Sequence, residues 1–279
     1  MTDRYAVIGY PIGHSKSPMI HRLFAEQTQQ TLSYEAILVD TDDSSFKWAI
    51  SDLKNRGYKG INITVPYKLD AFENADQLTE RAQTAHAVNT YTFNEDGTTT
   101  GDNTDGIGLI NDIEINGGRL FKNKNVLILG AGGAVQGILG PLIDKLPAMI
   151  HIANRTANRA EVLGKRFTTD IPISASGWDN IPAEHFDIII NGTSASLEGK
   201  LPPISSDVIR DDSLVYDMMY GQKPTVFMDW AQQAQPGCKT MDGLGMLVGQ
   251  AAEAFYVWRG IRPETAPVIE AVREQMNQA

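Results

Sequence analysis

LILGAGGA, at residues 127–134, sets the reading of this chain, because it joins a run of strand-type side chains to a glycine turn and then to a helix-forming segment ending near Lys145. Strand, turn and helix in that order are what a dinucleotide-binding unit requires. Gly130 is expected to make the tight turn and Gly132 to let the main chain approach a pyrophosphate. Gly133 and Ala134, after Ala131, open a helix whose free N–H groups would face that anion. MIHIA at 149–153 supplies a second strand, and its end, Asn154-Arg155-Thr156, bears on the choice of nucleotide. An acidic residue there would hold the adenosine ribose and repel a phosphate. Arg155 offers a planar fork matched to phosphate, Thr156 adds a hydroxyl, and Arg159 reaches the same place from one turn into the next helix. These residues favour NADP; the alternative role for them is a solvated helix start.

Outward from this unit the pattern alternates. ANRAEVLGKRF follows as a helix, then DIIIN and SLVYDMM as strands, and GIGLINDIEI leads into the unit as a connecting helix. Upstream, RYAVIG is a short strand that breaks at Gly9. A helix follows from Ser17 to about Gln30, with Pro18 in its first turn and Ile20, Leu23 and Phe24 on one face. LSYEAILV and KGINITV are strands, and between them SSFKWAISDLKNRG is an amphipathic helix with Phe46, Ile50 and Leu53 inward and Gly57 as its stop. AVNTYTF and TTTG form a hairpin across Asp96-Gly97. Near Gly243 the pattern changes to two helices, separated at Arg262-Pro263. The expected architecture is α/β in two lobes. The first, residues 1–104, has a mostly parallel sheet and is completed by 243–279 as the last helices return to it. The second, residues 105–242, is a Rossmann-type nucleotide lobe.

The 279 residues suffice for two modest domains, and 42% hydrophobic with 21% charged residues describes a globular chain. A formal charge of −10 disfavours nucleic acid and anionic membrane as partners, so an anionic ligand has to be captured by local groups. The single cysteine, Cys238, excludes an internal disulfide and suits a reducing compartment. The opening MTDRYAVIGYPIGHS lacks a signal-type apolar core and no run reaches membrane-spanning length, so a cytoplasmic location is expected.

Four segments of the first lobe carry polar groups that a plain α/β lobe does not need. GHSKSP places Ser15 and Ser17 at a helix start, where hydroxyls and main-chain N–H groups suit a carboxylate; Ser17 also suits an N-cap. His14 has no case of its own. NITVPYK ends a strand with Thr64 and sets Lys68 just past a proline; a lone lysine also suits the surface, but at a strand's carboxyl end it is expected to point into an interdomain crevice. AVNT offers Asn89, whose amide also suits a turn, and GDNTDG offers Asp105, which also suits a helix cap.

Together these segments closely resemble the shikimate dehydrogenase family. GHSKSP, NITVPYK, AVNT, NTDG, GAGGA, NRT, YDMMY and DGLGMLVGQAA occur in that family's order along almost the whole chain. The resemblance implies NADP-dependent reduction of 3-dehydroshikimate to shikimate, on the route to chorismate and the aromatic amino acids. It further implies that Ser15 and Ser17 hold the substrate carboxylate with Tyr220 near that end. Thr64, Lys68, Asn89, Asp105 and Gln250 would surround the ring hydroxyls and the reacting carbon. Met218 and Gly243 would flank the nicotinamide, and Glu80 would make a cofactor-side contact. One departure stands out: the helix after the glycine turn reads AVQGILG, and Gly137 and Gly140 weaken it by roughly 1 kcal/mol each relative to alanine.

Lys68 is the candidate acid and base, as an ammonium donating a proton and as an amine accepting one, with Asp105 orienting it. No metal-ligand spacing occurs among the histidines and carboxylates, and no YxxxK pattern offers a tyrosine donor. The implied partner is a small molecule, and both monomer and homodimer stay open. Other readings are a quinate/shikimate dehydrogenase of dual specificity, an NADP enzyme sharing only the cofactor lobe, and a non-catalytic shikimate-binding sensor. The polar segments of the first lobe oppose the second of these, and the presence of both Lys68 and Asp105 opposes the third.

Overall fold

A computed structural model describes residues 2–42 and 45–278. It divides into two compact units, one of the chain up to Gly108 with the residues from Val248 on, the other of Leu109–Leu247.

The first unit contains β1 (Asp3–Gly9), α1 (Ser17–Gln27), β2 (Leu32–Leu38), α2 (Ser45–Asn55), β3 (Tyr58–Ile63), α3 (Lys68–Asn74), β4 (Gln77–Leu78), α4 (Glu80–Ala85), β5 (Thr90–Phe93) and β6 (Thr99–Asp102), and the chain leaves it within α5 (Asp105–Asn111). Its six-stranded sheet has the order β2-β1-β3-β5-β6-β4. β1 runs parallel to β2 and β3, and β4 parallel to β6; β5 is antiparallel to both its neighbours. Tyr5, Ala6, Val7 and Ile8 are all buried. Successive strand side chains point to opposite faces, so β1 is covered on both sides. On one side α2 sets Phe46 and Leu53 against Ala6, Ile8, Ile61 and Ile63. On the other, Phe24 of α1 meets Phe255 edge-on at 5.8 Å, and Trp258 stacks on Tyr5 at 4.7 Å. Gly60 in β3 lies so close under Trp258 that a Cβ there would come within 2.4 Å of the indole nitrogen. The expected hairpin forms as β5 and β6, turning at Gly97 with φ +85° and closed by Asp96 accepting from the Thr98 N–H at 2.9 Å. Helix α1 stops at Gln27, short of the expected Gln30, where the Thr28 hydroxyl donates to the Phe24 carbonyl at 2.7 Å.

The second unit contains β7 (Asn125–Leu129), α6 (Gly133–Ile143), β8 (Met149–Ala153), α7 (Ala157–Gly164), β9 (Ile173–Ser176), β10 (Phe186–Asn191), β11 (Ile209–Asp217), α8 (Val226–Ala234) and β12 (Lys239–Asp242). Helix α9 (Leu244–Arg259) then carries the chain back to the first unit, where α10 (Ala266–Gln278) ends it. The sheet is wholly parallel, in the order β9-β8-β7-β10-β11-β12. Counted along the unit, that order is the doubly wound one, with its reversal between β7 and β10, where such sheets bind ligands at the strands' carboxyl ends. Helix α6 runs unbroken through Gly137 and Gly140 because Val135, Ile138, Leu139 and Leu142 are fully buried, and burial overrides propensity. The expected connecting helix is present as α5 and widens after it into a π-helical segment, Asp112–Asn116. Strands β9 and β12 escape the sequence pattern: they are the short edges of the sheet and half exposed.

The units are bounded a little beyond Asp105 and Gly243, the two points where the sequence pattern changes. Asp105 is bonded to Lys68 and Asn89, which draws it into the first unit. Gly243 packs on the main chain of Met218, which holds it in the second. Among the described residues no helix is long and apolar enough to cross a membrane.

Candidate active site

In the first unit the strand ends bring together residues far apart in the chain. Past β3, the Thr64 N–H bonds the Ile8 carbonyl at 3.0 Å and the Tyr67 N–H bonds Thr64 at 3.1 Å, so Lys68 becomes the first residue of α3. A Cβ on Gly9 would lie 2.4 Å from the Thr64 methyl, which is why β1 ends in glycine beside it. Asn89 is pinned by its main chain between neighbouring strand ends: its N–H bonds the Asp102 carbonyl at 3.0 Å and its carbonyl accepts from Ile63 at 2.8 Å. Asp105 opens α5.

These side chains meet directly. Lys68 Nζ lies 2.5 Å from Asp105 Oδ2, and Asn89 Nδ2 donates to Asp105 Oδ1 at 2.8 Å and towards Gln250 Oε1 at 3.5 Å. The lysine side chain is 21% exposed and the aspartate side chain 10%. A charge pair this far from water is held by geometry and by the remaining hydrogen bonds rather than by bulk attraction. Asp105 is thus a binding partner for Lys68 and Asn89, not a helix cap.

A second ion pair shapes the corner that carries Asp105. Arg81 grips Asp102 through Nε at 2.6 Å and Nη2 at 2.5 Å, and its Nη1 reaches Glu253 at 3.0 Å. Burial pushes the Asp102 carboxyl up, but Arg81, Thr79 and the Asn103 N–H outweigh it and hold the group below the usual carboxylate range. Asn103 in turn accepts from the Asp105 N–H at 3.1 Å. Nothing in the spacing of Arg81, Asp102 and Glu253 along the chain signals that they meet.

At the start of α1 the cap position is Lys16, without a side-chain cap bond, and Ser17 is the first helical residue. Ser15 Oγ accepts from the Ser17 N–H at 3.3 Å. The N-cap alternative for Ser17 is therefore not realised. Ser17 is buried, with its hydroxyl beside the Tyr34 phenol.

The second unit's turn has the properties expected of an anion cradle. Gly130 takes φ +109°, and a Cβ there would press on the Gly192 main chain at 3.2 Å. Gly132 and Gly133 are exposed, and a Cβ on either would meet nothing within 4 Å. Gly132 caps α6 without any side chain to bond its first N–H groups. Ala131 and Ala134 pack against the core beneath. Asn154 folds its amide onto the Thr156 carbonyl at 2.9 Å, leaving Arg155, Thr156 and Arg159 exposed at the start of α7. Among the described residues neither Arg155 nor Arg159 is in an ion pair within 4.0 Å, though Arg155 adds to the larger effect of Lys200 in holding the Glu198 carboxyl low. A bare helix N-terminus, open glycines and two uncommitted guanidiniums fit a dinucleotide carrying an extra phosphate.

At the neighbouring strand ends, the Met218 N–H bonds the Asn191 carbonyl at 2.9 Å, and a Cβ on Gly243 would stand 2.1 Å from the Met218 carbonyl oxygen. Asp217 is fully buried and accepts from Ser196 at 2.6 Å, Asn191 at 3.1 Å and the Met219 N–H at 3.1 Å. It ties together the loops after β10 and β11, a role that YDMMY does not disclose. Tyr220 belongs to this unit and is partly buried; burial, then the charge of Asp242, raises its pKa. Glu80 stands exposed at the first residue of α4 in the first unit, with no side-chain bond in that unit among the described residues.

Comparison with known proteins gives consistent matches. Residues 7–91 match the shikimate dehydrogenase substrate binding domain, 115–201 the shikimate / quinate 5-dehydrogenase model and 243–273 the shikimate 5'-dehydrogenase C-terminal domain. A shikimate dehydrogenase (NADP(+)) of Hydrogenovibrio crunogenus is 70% identical over 98% of both chains. Among solved structures, an Ael1 enzyme from Pseudomonas putida superposes with a TM-score of 0.90 at 45% identity over 97% of this chain and 98% of that one. A shikimate dehydrogenase in complex with NADP+ superposes with a TM-score of 0.86 at 32% identity over 99% and 96%.

Proposed function

The chain belongs to the shikimate dehydrogenase family, and on that premise we propose that it catalyses the NADP-dependent, reversible reduction of 3-dehydroshikimate to shikimate, with Lys68 and Asp105 as its catalytic pair. The observation that carries the residue assignment is the joined group of Lys68, Asp105, Asn89 and Gln250. A positioned ammonium beside a carboxylate and two amides suits a substrate that bears hydroxyls and a carbonyl, and it supports proton transfer at one oxygen.

Gly130–Ala134, Asn154, Arg155, Thr156 and Arg159 would hold the dinucleotide, with Met218 and Gly243 beside its nicotinamide and Glu80 as a further contact. When bound, the reduced nicotinamide supplies the hydride. Lys68, as ammonium, stabilises the negative charge that develops on the carbonyl oxygen and delivers the proton to it. In the reverse direction the amine of Lys68 takes the hydroxyl proton. Asp105 holds the Lys68 amino group in place and accepts from a substrate hydroxyl. Asn89, Gln250 and Thr64 fix the remaining hydroxyls, and Ser15 and Ser17 hold the carboxylate, with Tyr220 at that end. We place the protein in the cytoplasm, as a monomer or a homodimer.

Assaying the purified protein with shikimate and NADP, then with quinate and with NAD, tests this reading. Formation of reduced NADP from shikimate is expected, with weaker turnover on quinate or with NAD. Absence of shikimate turnover would refute it, and equal turnover of quinate would establish dual specificity.

A further inference from the structure

One hydrogen-bonded line of side chains leaves the Lys68–Asp105 pair and crosses the first unit's sheet. Asn89 Nδ2 donates to Asp105 at 2.8 Å, and Asn89 Oδ1 accepts from Thr90 Oγ1 at 2.8 Å. Thr90 Oγ1 accepts from Asn62 Nδ2 at 3.0 Å, and Asn62 Oδ1 accepts from the Tyr34 phenol at 2.7 Å. Asn62, Asn89 and Thr90 are almost fully buried, so none of them can exchange its partner for water without cost.

The direction of this line is imposed from one end. The Thr104 main-chain N–H can only donate, and it bonds Asn89 Oδ1 at 2.9 Å. That contact turns the Asn89 NH2 towards Asp105, which as a carboxylate can only accept. With Asn89 Oδ1 facing it, Thr90 must donate there, so its lone pairs face Asn62. The Asn62 NH2 then points to Thr90, its carbonyl to Tyr34, and the phenol must donate. Each amide has one acceptable orientation, and each hydroxyl has one proton committed.

We infer that Tyr34 and Thr90 are positioning residues: through Asn62 and Asn89 they hold the Asp105 carboxylate in the orientation that receives Lys68. Tyr34 stands beside Ser17 at the far end of this line, and burial raises its pKa well above the ordinary phenol value, against a smaller lowering by Ser17. The phenol therefore keeps its proton and stays a donor. His21 stacks on the Tyr34 ring at 4.0 Å and makes no hydrogen bond of good geometry, although the nearby Asn62 side chain raises its pKa a little against the larger lowering by burial. Loss of the Tyr34 hydroxyl leaves the Asn62 carbonyl without that donor, and loss of the Thr90 hydroxyl leaves Asn89 Oδ1 to Thr104 alone, so the hold on Asp105 through Asn89 slackens without being lost.

The inference rests on the shikimate dehydrogenase reading, so shikimate turnover by the unaltered protein is measured first; its absence refutes that reading, not the line of bonds. Tyr34→Phe, Thr90→Val and Thr90→Ser are then compared by steady-state kinetics, with folding checked by circular dichroism. Tyr34→Phe and Thr90→Val should each lower kcat by about three- to tenfold, the worth of one buried hydrogen bond. Thr90→Ser, which keeps the hydroxyl, should stay near the unaltered rate, and KM for NADP should hold within about twofold throughout. In an Asn89→Ala background, Thr90→Val should add less than about twofold, because the line is already cut. Equal losses for Thr90→Val and Thr90→Ser, or full additivity with Asn89→Ala, would overturn the inference. If Tyr34→Phe fails to fold, the valine and serine pair decides.

Discussion

Replacing Lys68 with methionine separates its chemistry from its packing. Methionine keeps much of the apolar stem and removes the ammonium, which is the donor to Asp105 Oδ2 at 2.5 Å. Asp105 then retains Asn89 on its other oxygen. Loss of a charge-assisted bond costs about 1.5–3 kcal/mol, below the roughly 3–5 kcal/mol for breaking a fully buried pair. The lower range applies because 21% of the lysine side chain is in water. In a chain of this size that is a fall in Tm of roughly 3–12 °C. The kinetic effect is of another kind. If Lys68 moves the proton, kcat falls by roughly 10²–10⁴, or about 2.7–5.5 kcal/mol of barrier, while KM for shikimate changes far less. Asp105→Asn should slow turnover too and raise KM. Combined with Lys68→Met, it should recover part of the lost Tm, since no uncompensated carboxylate remains, and its kinetic loss should fall short of the product of the two. Steady-state kinetics and thermal unfolding on the three variants measure all of this. A Lys68→Met protein with near-normal kcat and a raised KM would refute the assignment, and the proton donor would be Tyr220 or a bound water.

Arg155→Ala should raise KM for NADP by roughly tenfold to a hundredfold and leave that for NAD nearly unchanged; equal losses with both cofactors would remove Arg155 from the phosphate site. Ser15→Ala and Ser17→Ala should weaken shikimate binding, read as KM, while NADP binding measured by fluorescence titration stays intact. A Ser17→Ala protein with lower Tm and unchanged shikimate kinetics would make Ser17 a packing residue only. Gly243→Ala should lower Tm and impair NADP binding together, because the new methyl would meet the Met218 carbonyl oxygen at 2.1 Å and overpacking against main chain costs about 1–3 kcal/mol or more; tolerance of alanine would show that this junction yields. His21 carries a pH dependence: burial holds its imidazole pKa down at about 3 from an ordinary 6.5. Below about pH 6.5 the unfolded chain takes up a proton that the folded protein refuses, so stability is intact above that pH and erodes as pH falls towards about 3, by at most about 1.4 kcal/mol per pH unit. Urea unfolding at about pH 7 and pH 5 should therefore show a smaller acid loss for His21→Leu than for the unaltered protein, and identical losses would contradict the burial argument.

Several of these residues are legible in the amino-acid order itself. Glycine spacing after an apolar run locates the nucleotide turn, because only a strand-to-helix junction needs a left-handed glycine followed by residues without side chains. The NRT segment favours a phosphate over a ribose hydroxyl through charge alone. Period-2 and period-3.6 patterns place β1, β3, β7, β8 and β10 and the helices that cover them, since buried elements carry strong apolar signatures. The same test fails for β9 and β12, where edge exposure dilutes the signature, and it misses α8, although Phe227 and Ala231 are buried there, and the π-helical end of α5.

Local sequence by itself determined most of the elements and the nucleotide turn, because turns, caps and strand cores depend on residues near in the chain; the roles of most substrate-side residues came from the motifs shared with the family. What Lys68 touches was decided only by tertiary structure. Asp105, its partner, is distant from it in sequence, as Gln250 is from Asn89, and sheet order alone brings the ends of β3, β5 and β6 side by side. The same holds for the grip of Arg81 on Asp102 and Glu253, for the role of Asp217, and for the line from Tyr34 to Asp105. A hydrogen bond has a length and a direction, and neither exists until the strands that carry its two ends have paired.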